Sequence, residues 1–479
     1  MTDPKLPSRE ADFAEWYNQL VQRADLADYA PVRGCMIIKP YGWTLWENIQ
    51  AALDQRFKAT GHVNAAFPVL IPQSFIDREA RHVAGFAPEL AVVTHAGGEA
   101  LEEPLVVRPT SETVVGHAYA RWIKSYRDLP VLINQWCSVV RWELRTRLFL
   151  RTTEFWWQEG HTAHATQAEA EAEARQMLDV YTDFAVREAA LPVVPGRKSE
   201  AERFPGAEVS YALEGMMGDR RALQAATSHN FGQNFARAFD IRYLDRNNEQ
   251  QYCWTTSWGL STRMIGAIIM THGDDQGLIL PPRLAPHQVV IVPIYRSDAE
   301  RGPVLETVEQ LRQALLAAGL RVKVDNREDL TPGFKFNDWE LRGVPLRVEV
   351  GPRDVAQGTA ALARRDLRGK AGKVFVPQAG LAEFASQALR DLHTALYDRA
   401  LAFRRAHTYD PKDYGAFKEA MEQGWALSWW CGQPACEAAI QADTRATSRC
   451  IPLEQPGDAG TCIRCDAPAR EKALFGRAY

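Results

Sequence analysis

The sequence predicts an α+β multidomain chain: a core built on antiparallel sheet, then a small α/β domain, then a cysteine-bearing tail. Three patterns predict it. Residues 1–285 mix helical segments with long alternating, strand-like runs. From about 286 to 378, apolar β-branched stretches alternate with amphipathic helical ones. Five of the eight cysteines, Cys431, Cys436, Cys450, Cys462 and Cys465, crowd beyond residue 430. The expected units are 1–285, 286–385 and 386–479.

In chain order, Trp43, Trp46, Ile49, Leu53 and Phe57 recur at helical spacing and predict a helix over 43–59, ended by Gly61. Val63–Ile71 then reads as a strand carrying Pro68. Residues 166–190 form a strong helix, solvated on its glutamate face and apolar through Met177, Val180 and Phe184. Pro281, Pro282 and Pro286 punctuate the end of the first unit. Next come a strand over His287–Tyr295, a helix over Val304–Leu320 with Gly319 near its end, and strands at Arg321–Asp325 and Pro345–Gly351. Strands separated by helices imply parallel crossovers. A long helix over 381–406 leads into the tail.

With 479 residues, 46% apolar, 24% charged and a net charge of −4, the chain is not disordered, collagen-like or a disulfide scaffold. No apolar run approaches the roughly 18 residues of a membrane span. The start, from Met1 to Glu10, has no apolar signal core, so the expected address is the cytoplasm. The charge is uneven. Residues 1–285 carry 29 Lys/Arg against 35 Asp/Glu, a balance of −6; residues 286–479 carry 27 against 25, or +2. Within 342–373 there are eight basic and three acidic residues, a local +5 that suits a polyanion, or a solvated basic face.

Segment 131–161 carries the most chemistry. Two extended runs flank a loop at about 144–150, which predicts a long antiparallel hairpin. Side chains alternate along a strand, so Arg141 and Glu143 share a face of the first run. Arg151, Phe155, Trp157, Glu159 and His161 share a face of the second. Burying such a set unpaired would cost several kcal/mol per group. It fits a surface that grips an anionic ligand with a flat ring, guanidinium forks on oxygens and aromatics on the ring. A solvated salt-bridge ladder is the alternative.

In the tail, Cys431-x4-Cys436 is followed, 25 residues later, by Cys462-x2-Cys465. Two close thiolate pairs predict a closed tetrahedral structural Zn²⁺ site, with Cys450 the expected non-ligand, able to substitute for one of the four. Thiols buried singly without metal are the alternative.

Arg141-Trp142-Glu143, a loop, and Arg151 to Phe155 resemble motif 2 of class II aminoacyl-tRNA synthetases. The strand near Pro68 after a long helix resembles motif 1, which builds the dimer interface in that class. Thr255 to Arg263, followed by MIGAIIM, resembles motif 3. Arg108-Pro109-Thr110-Ser111-Glu112-Thr113, the stretch Trp156–Thr162, and Thr331–Phe336 narrow the likeness to prolyl-tRNA synthetases, over a span from about residue 10 to the C-terminal tyrosine. The resemblance implies a class II antiparallel catalytic core, an anticodon-binding domain and a zinc-binding tail. It implies ATP-dependent joining of L-proline to tRNA-Pro through a prolyl-adenylate, with Mg²⁺ accompanying ATP, by a homodimer that needs no membrane.

By the same resemblance, Arg141 bridges the substrate carboxylate and the α-phosphate. Glu143 receives the adenine, Arg151 the γ-phosphate, Phe155 stacks beneath the base, and Arg263 covers its other face or the phosphates. Gln224 and Thr227 also contact ATP. Thr110 and Glu112 read the secondary ammonium. Trp157, Glu159, His161, Phe204 and His229 hold the proline ring, and Ser257 and Gly259 close the pocket. Arg141 and Arg263 are the expected catalytic pair. Glu340, Arg347, Arg353 and Asp354 are the anticodon candidates. Only 91 residues separate His161 from Cys253, too few for the editing insertion of bacterial-type members. That points to the archaeal/eukaryotic-like type, with some activation of alanine or cysteine. The alternative is a catalytically silent paralogue that binds tRNA, although all three motif arginines are present.

Overall fold

A computed structural model describes residues 6–82, 90–367 and 369–479. Its spine is an eleven-stranded sheet. The hairpin is present: Val131–Val140 pairs antiparallel with Glu154–His164, with Val140 opposite Glu154 and Gln135 opposite Glu159. Trp254–Ser261, Ala222–Gly232, Val209–Met216 and Val193–Arg197 follow in order, each antiparallel to its neighbour.

One face of this sheet is packed by two helices. Pro40–Ala59 begins on Pro40, whose fixed φ suits a first helical position, and buries Leu45, Trp46, Ile49, Leu53 and Phe57. Gln167–Arg187 opens with a capping box between Thr166 and Glu169. It buries Met177, Tyr181 and Phe184; the expected Val180 is only half-buried. Trp258 packs against Phe57 and Tyr181. Gly160 stands directly across from it, where any Cβ would lie 2.1 Å from the indole.

Several expectations need correction. Val63–Ile71 is not one strand. Val63–Asn64 joins the main sheet, while Leu70–Pro72 pairs with Glu99–Val107 in a separate three-stranded sheet. Between them Pro68 has no N–H to donate, and the Phe67 carbonyl is taken by the Arg108 guanidinium at 2.7 Å. The first hairpin strand ends at Val140, so Arg141, Glu143 and Arg151 belong to the connection, where strand parity does not apply. That connection is anchored by Leu148, Phe149 and Leu150, all buried in the core.

The α/β unit is mixed rather than purely parallel. Val289–Pro293 lies parallel to Val322–Val324 and Leu346–Val350, but Thr359–Arg364 and Lys373–Pro377 add antiparallel strands. Its first helix starts earlier than expected, spanning Asp298–Ala317. A buried bidentate pair, Arg365 to Asp274 at 2.7 and 3.1 Å, ties this unit to the core.

The expected seam at 385/386 falls inside one helix, Leu381–Ala406. Beyond it the tail rejoins the core: Thr447–Pro452 pairs antiparallel with Val193–Arg197, and Glu471–Gly476, Trp425–Trp430 and Thr408–Tyr409 extend the same sheet outward. Gly196 permits this approach, since a Cβ there would meet the Ile451 carbonyl at 2.6 Å.

Candidate active site and metal centre

Strand register assembles the site. Glu159, Gly259 and Thr227 oppose one another in one row across three strands, and His161, Ser257 and His229 in the next. Opposed residues and residues two apart share a face. Helix Glu112–Trp122 covers part of this face, and Phe155, Trp157, Gln224 and Arg263 extend it. The result is a cavity of about 330 Å³, bordered also by Thr110, Glu112, Arg141 and Phe204. His161 lies deeper, in a small hollow beside Phe231 and Phe235.

Two buried carboxylates form the floor. Glu112, at a helix N-terminus that favours negative charge, accepts from the Thr110 hydroxyl and from Ser257 Oγ at 3.2 Å. Glu159 accepts from the Ser111 N–H at 3.2 Å, the Ser111 hydroxyl, Gln135 Nε2 at 3.0 Å and the Cys137 thiol at 3.3 Å. His161 Nε2 lies 3.5 Å from one acid and 3.9 Å from the other. Burial opposes charge on His161, but the hydrogen bond and charge of Glu112, then the charge of Glu159, outweigh it and raise its pKa. Burial likewise opposes charge on Glu112, and His161 outweighs it, so that carboxyl stays well below the usual range. Two carboxylates beside one imidazole leave a net negative floor, whether or not the ring carries a proton, fit for an ammonium. On the facing wall, burial pushes His229 down to about 4; it packs at 4.7 Å on Phe204 as a neutral ring.

The other end is cationic. The Arg141 guanidinium lies 5.5 Å from the Phe155 ring centroid and 5.2 Å from that of Trp157, and its Nε donates to the Pro109 carbonyl at 3.0 Å. Arg263, opening helix Arg263–His272, donates from Nε to the Leu150 carbonyl at 3.1 Å. Burial, then the charges of Arg141 and Arg151, bring its pKa down to about 10. Among the described residues no carboxylate forms a salt bridge with Arg141 or Arg263. Such crowding of like charge is relieved by a polyanion.

Glu143 and Arg151 stand outside this cavity, paired to each other at 3.3 Å. Sequence reasoning missed Lys198, Glu202, Arg203, Pro205 and Ser210, which complete the wall; GRKSEAERFPG carries no period that would single them out. It also missed Ser111, Gln135 and Cys137 beneath Glu159. Strand pairing could have found the last two, since Gln135 opposes Glu159 and Cys137 opposes Trp157.

In the tail, ligand atoms of Cys431, Cys436, Cys462 and Cys465 all lie within 4.8 Å of one another, with the Cys431 and Cys465 sulfurs 3.8 Å apart. A tetrahedron with metal–sulfur bonds of about 2.3 Å has edges of about that length, so the four residues fit the ion. Cys450 is buried elsewhere, beside Met216, Trp425 and Leu474.

In the α/β unit, Glu340 and Arg347 line a cleft of about 170 Å³ with Trp339 and Lys373, and Arg347 lies 4.3 Å from the Phe336 ring centroid. Arg353 and Asp354 are not part of it. Asp354 accepts from the Gly351 N–H at 2.8 Å, closing the start of helix Pro352–Gln357. Arg347 and Lys373 share Glu349 and Arg364 pairs with Asp366, acids already counted in the local +5. Arg342 and Arg365 draw on acids outside the segment, Arg342 on Asp25 and Asp338 and Arg365 on Asp274.

An antiparallel sheet presenting unpaired guanidinia above an acidic, aromatic floor, joined to a mixed α/β unit, defines a class II tRNA synthetase. Residues 96–272 match the tRNA synthetase class II core domain (G, H, P, S and T), 288–380 the anticodon binding domain, and 414–479 the C-terminal domain of prolyl-tRNA synthetase. The chain is 60% identical over 476 residues to the proline–tRNA ligase of Chloroflexus aurantiacus, covering 99% of each chain. It is 52% identical to the chloroplastic/mitochondrial proline–tRNA ligase of Arabidopsis thaliana, covering 100% of this chain and 89% of that one. The crystal structure of prolyl-tRNA synthetase from Cryptosporidium parvum, complexed with halofuginone and AMPPNP, superimposes with a TM-score of 0.95 at 38% identity over 99% of each chain. The chain belongs to the proline–tRNA ligase family.

Proposed function

We propose that this protein activates L-proline with ATP and transfers it to tRNA-Pro. The observation that carries the reading is the polarity of this cavity, with buried Glu112 and Glu159 at one end and Arg141 and Arg263 at the other. A zwitterionic amino acid lies along that axis. Its secondary ammonium meets Thr110, Glu112 and Glu159, with His161 balancing the acids. Its ring rests among Trp157, Phe204 and His229, with Ser257 and Gly259 at the far wall, and its carboxylate meets Arg141.

The nucleotide lies toward Phe155, Gln224, Thr227 and Arg263. Glu143 and Arg151, paired to each other at 3.3 Å, turn to the adenine and the γ-phosphate. The substrate carboxylate then attacks the α-phosphorus in line, so no protein nucleophile is needed. Positioning and charge neutralisation supply the catalysis. Mg²⁺ with ATP neutralises phosphate charge. It usually keeps several waters; the metal-binding side chains that do cluster near the cavity, Glu112, Glu159 and His161, belong to its acidic end.

The tail holds a structural Zn²⁺ in Cys431, Cys436, Cys462 and Cys465. The units 1–285, 286–385 and 386–479 serve catalysis, anticodon binding and zinc binding, the last two sharing helix Leu381–Ala406. Glu340, Arg347, Arg353 and Asp354 are the candidates to read anticodon bases, with Glu340 and Arg347 the better placed because they share a cleft. The chain is of the archaeal/eukaryotic-like type. Supporting this, His161 and Cys253 are joined by core strands and two helices, Gln167–Arg187 and Asn234–Phe239. The chain is a homodimer, supported by Val63, Val69, Leu70 and Trp122 exposed around an edge strand of the sheet. Eight free cysteines suit the reducing cytoplasm, and no helix among the described residues is long and apolar enough to cross a membrane.

Pyrophosphate exchange run across all amino acids tests the reading. Proline should dominate, with weaker signals from alanine or cysteine, because a pocket of this size separates similar volumes poorly. Exchange with no amino acid would favour a silent tRNA-binding paralogue.

A further inference from the structure

The wall of the cavity formed by Lys198 is held from outside the core. Lys198 Nζ donates to Glu214 Oε1 at 3.1 Å and to the Arg449 carbonyl at 2.8 Å. Arg449 closes the arrangement, its Nε and Nη2 donating to Glu214 at 3.1–3.2 Å. All three residues are buried. One position on, Ser199 Oγ donates to Glu437 Oε1 at 2.9 Å and accepts from the Glu202 N–H at 3.2 Å. Glu437 follows Cys436 directly, and it also accepts from the Ser448 hydroxyl. Glu214 stands opposite Gln224 in the sheet, and the turn after Ser199 carries Phe204.

These contacts join the cysteine tail to the cavity at two adjacent points. We propose that Arg449 and Glu437 are positioning residues for substrate binding: through Glu214 and Ser199 they fix Lys198, Gln224 and the turn bearing Phe204. The inference rests on the reading that this cavity takes an amino acid and ATP. Neither residue touches the reacting atoms, so both act on affinity. A buried bidentate guanidinium–carboxylate pair is geometrically demanding; lysine keeps the charge but loses the fork.

The test compares the full-length wild type with Arg449→Met, Arg449→Lys and Ser199→Ala in proline-dependent pyrophosphate exchange, with melting curves for each. Arg449→Met should raise the KM for proline or ATP about fivefold or more while kcat changes less than about threefold. Arg449→Lys and Ser199→Ala should show smaller shifts in the same direction. KM values for both substrates within about twofold of wild type in Arg449→Met would overturn the proposal. If that variant does not melt cooperatively, the same result in both Arg449→Lys and Ser199→Ala would overturn it. Loss of exchange in the wild type itself would instead count against the substrate reading.

Discussion

The guanidinium of Arg141 lies 5.2 Å from the ring centroid of Trp157, with its Nε donating to the Pro109 carbonyl, and the residue borders the cavity. The aromatic surface orients the charge without neutralising it, which leaves the forked end for a ligand. Replacing Arg141 by Ala should lower proline-dependent exchange by about a hundredfold or more, with the melting temperature nearly unchanged. Lysine should not restore activity. Near-normal exchange in either variant would remove Arg141 from the reaction.

Glu159 is buried beneath four donors, and its charge is part of the negative floor. Glu159→Gln keeps the shape and removes the charge, so the KM for proline should rise about tenfold or more while the KM for ATP stays nearly constant. An equal rise in both would mean that Glu159 supports the fold of the cavity rather than the ammonium.

His272 is buried at the end of its helix, with Nε2 against the Ala189 carbonyl at 3.0 Å. Burial first, with the positive charges nearby, pushes its pKa down to about 3. A histidine depressed in the folded state binds a proton more readily when unfolded, so stability falls as pH drops from its unfolded value of about 6.5 toward 3. The slope from this one residue is about 1.4 kcal/mol per pH unit. Denaturation of wild type and His272→Gln between pH 7 and 4.5 should show a shallower pH dependence in the variant. Parallel curves would contradict the assignment.

If the four tail cysteines hold zinc, elemental analysis should find about one zinc per chain. Removing it with a strong chelator should lower the melting temperature, and Cys462→Ser should do the same without chelator. Cys450→Ser should retain full zinc content, since Cys450 packs away from the cluster. Zinc content that falls with Cys450→Ser would redraw the ligand set.

Much of this was legible from pattern. Parity alone grouped Phe155, Trp157, Glu159 and His161, and the structure sets all four on one face of Glu154–His164. Parity failed for Arg141, Glu143 and Arg151, because a strand's end depends on where the ladder stops, and here the connection is drawn into the core by Leu148, Phe149 and Leu150. The wall at Lys198 was invisible for a different reason. Its placement depends on Glu214 and on Arg449, 251 residues later in the chain, and no local spacing encodes such a contact. The basic run at 342–373 was real as composition but overstated as surface charge, because two of its arginines, Arg342 and Arg365, pair with acids from outside the run.

The shared sheet also bears on synthesis. Val193–Arg197 leaves the ribosome about 250 residues before Ile451, its strand partner at Arg197. Until the tail emerges, that side of the core is an unpaired edge, the kind of surface that invites pairing with another chain. A prematurely terminated product would keep the edge open permanently. Such truncated chains should therefore precipitate or be captured by chaperones rather than accumulate as a free catalytic core.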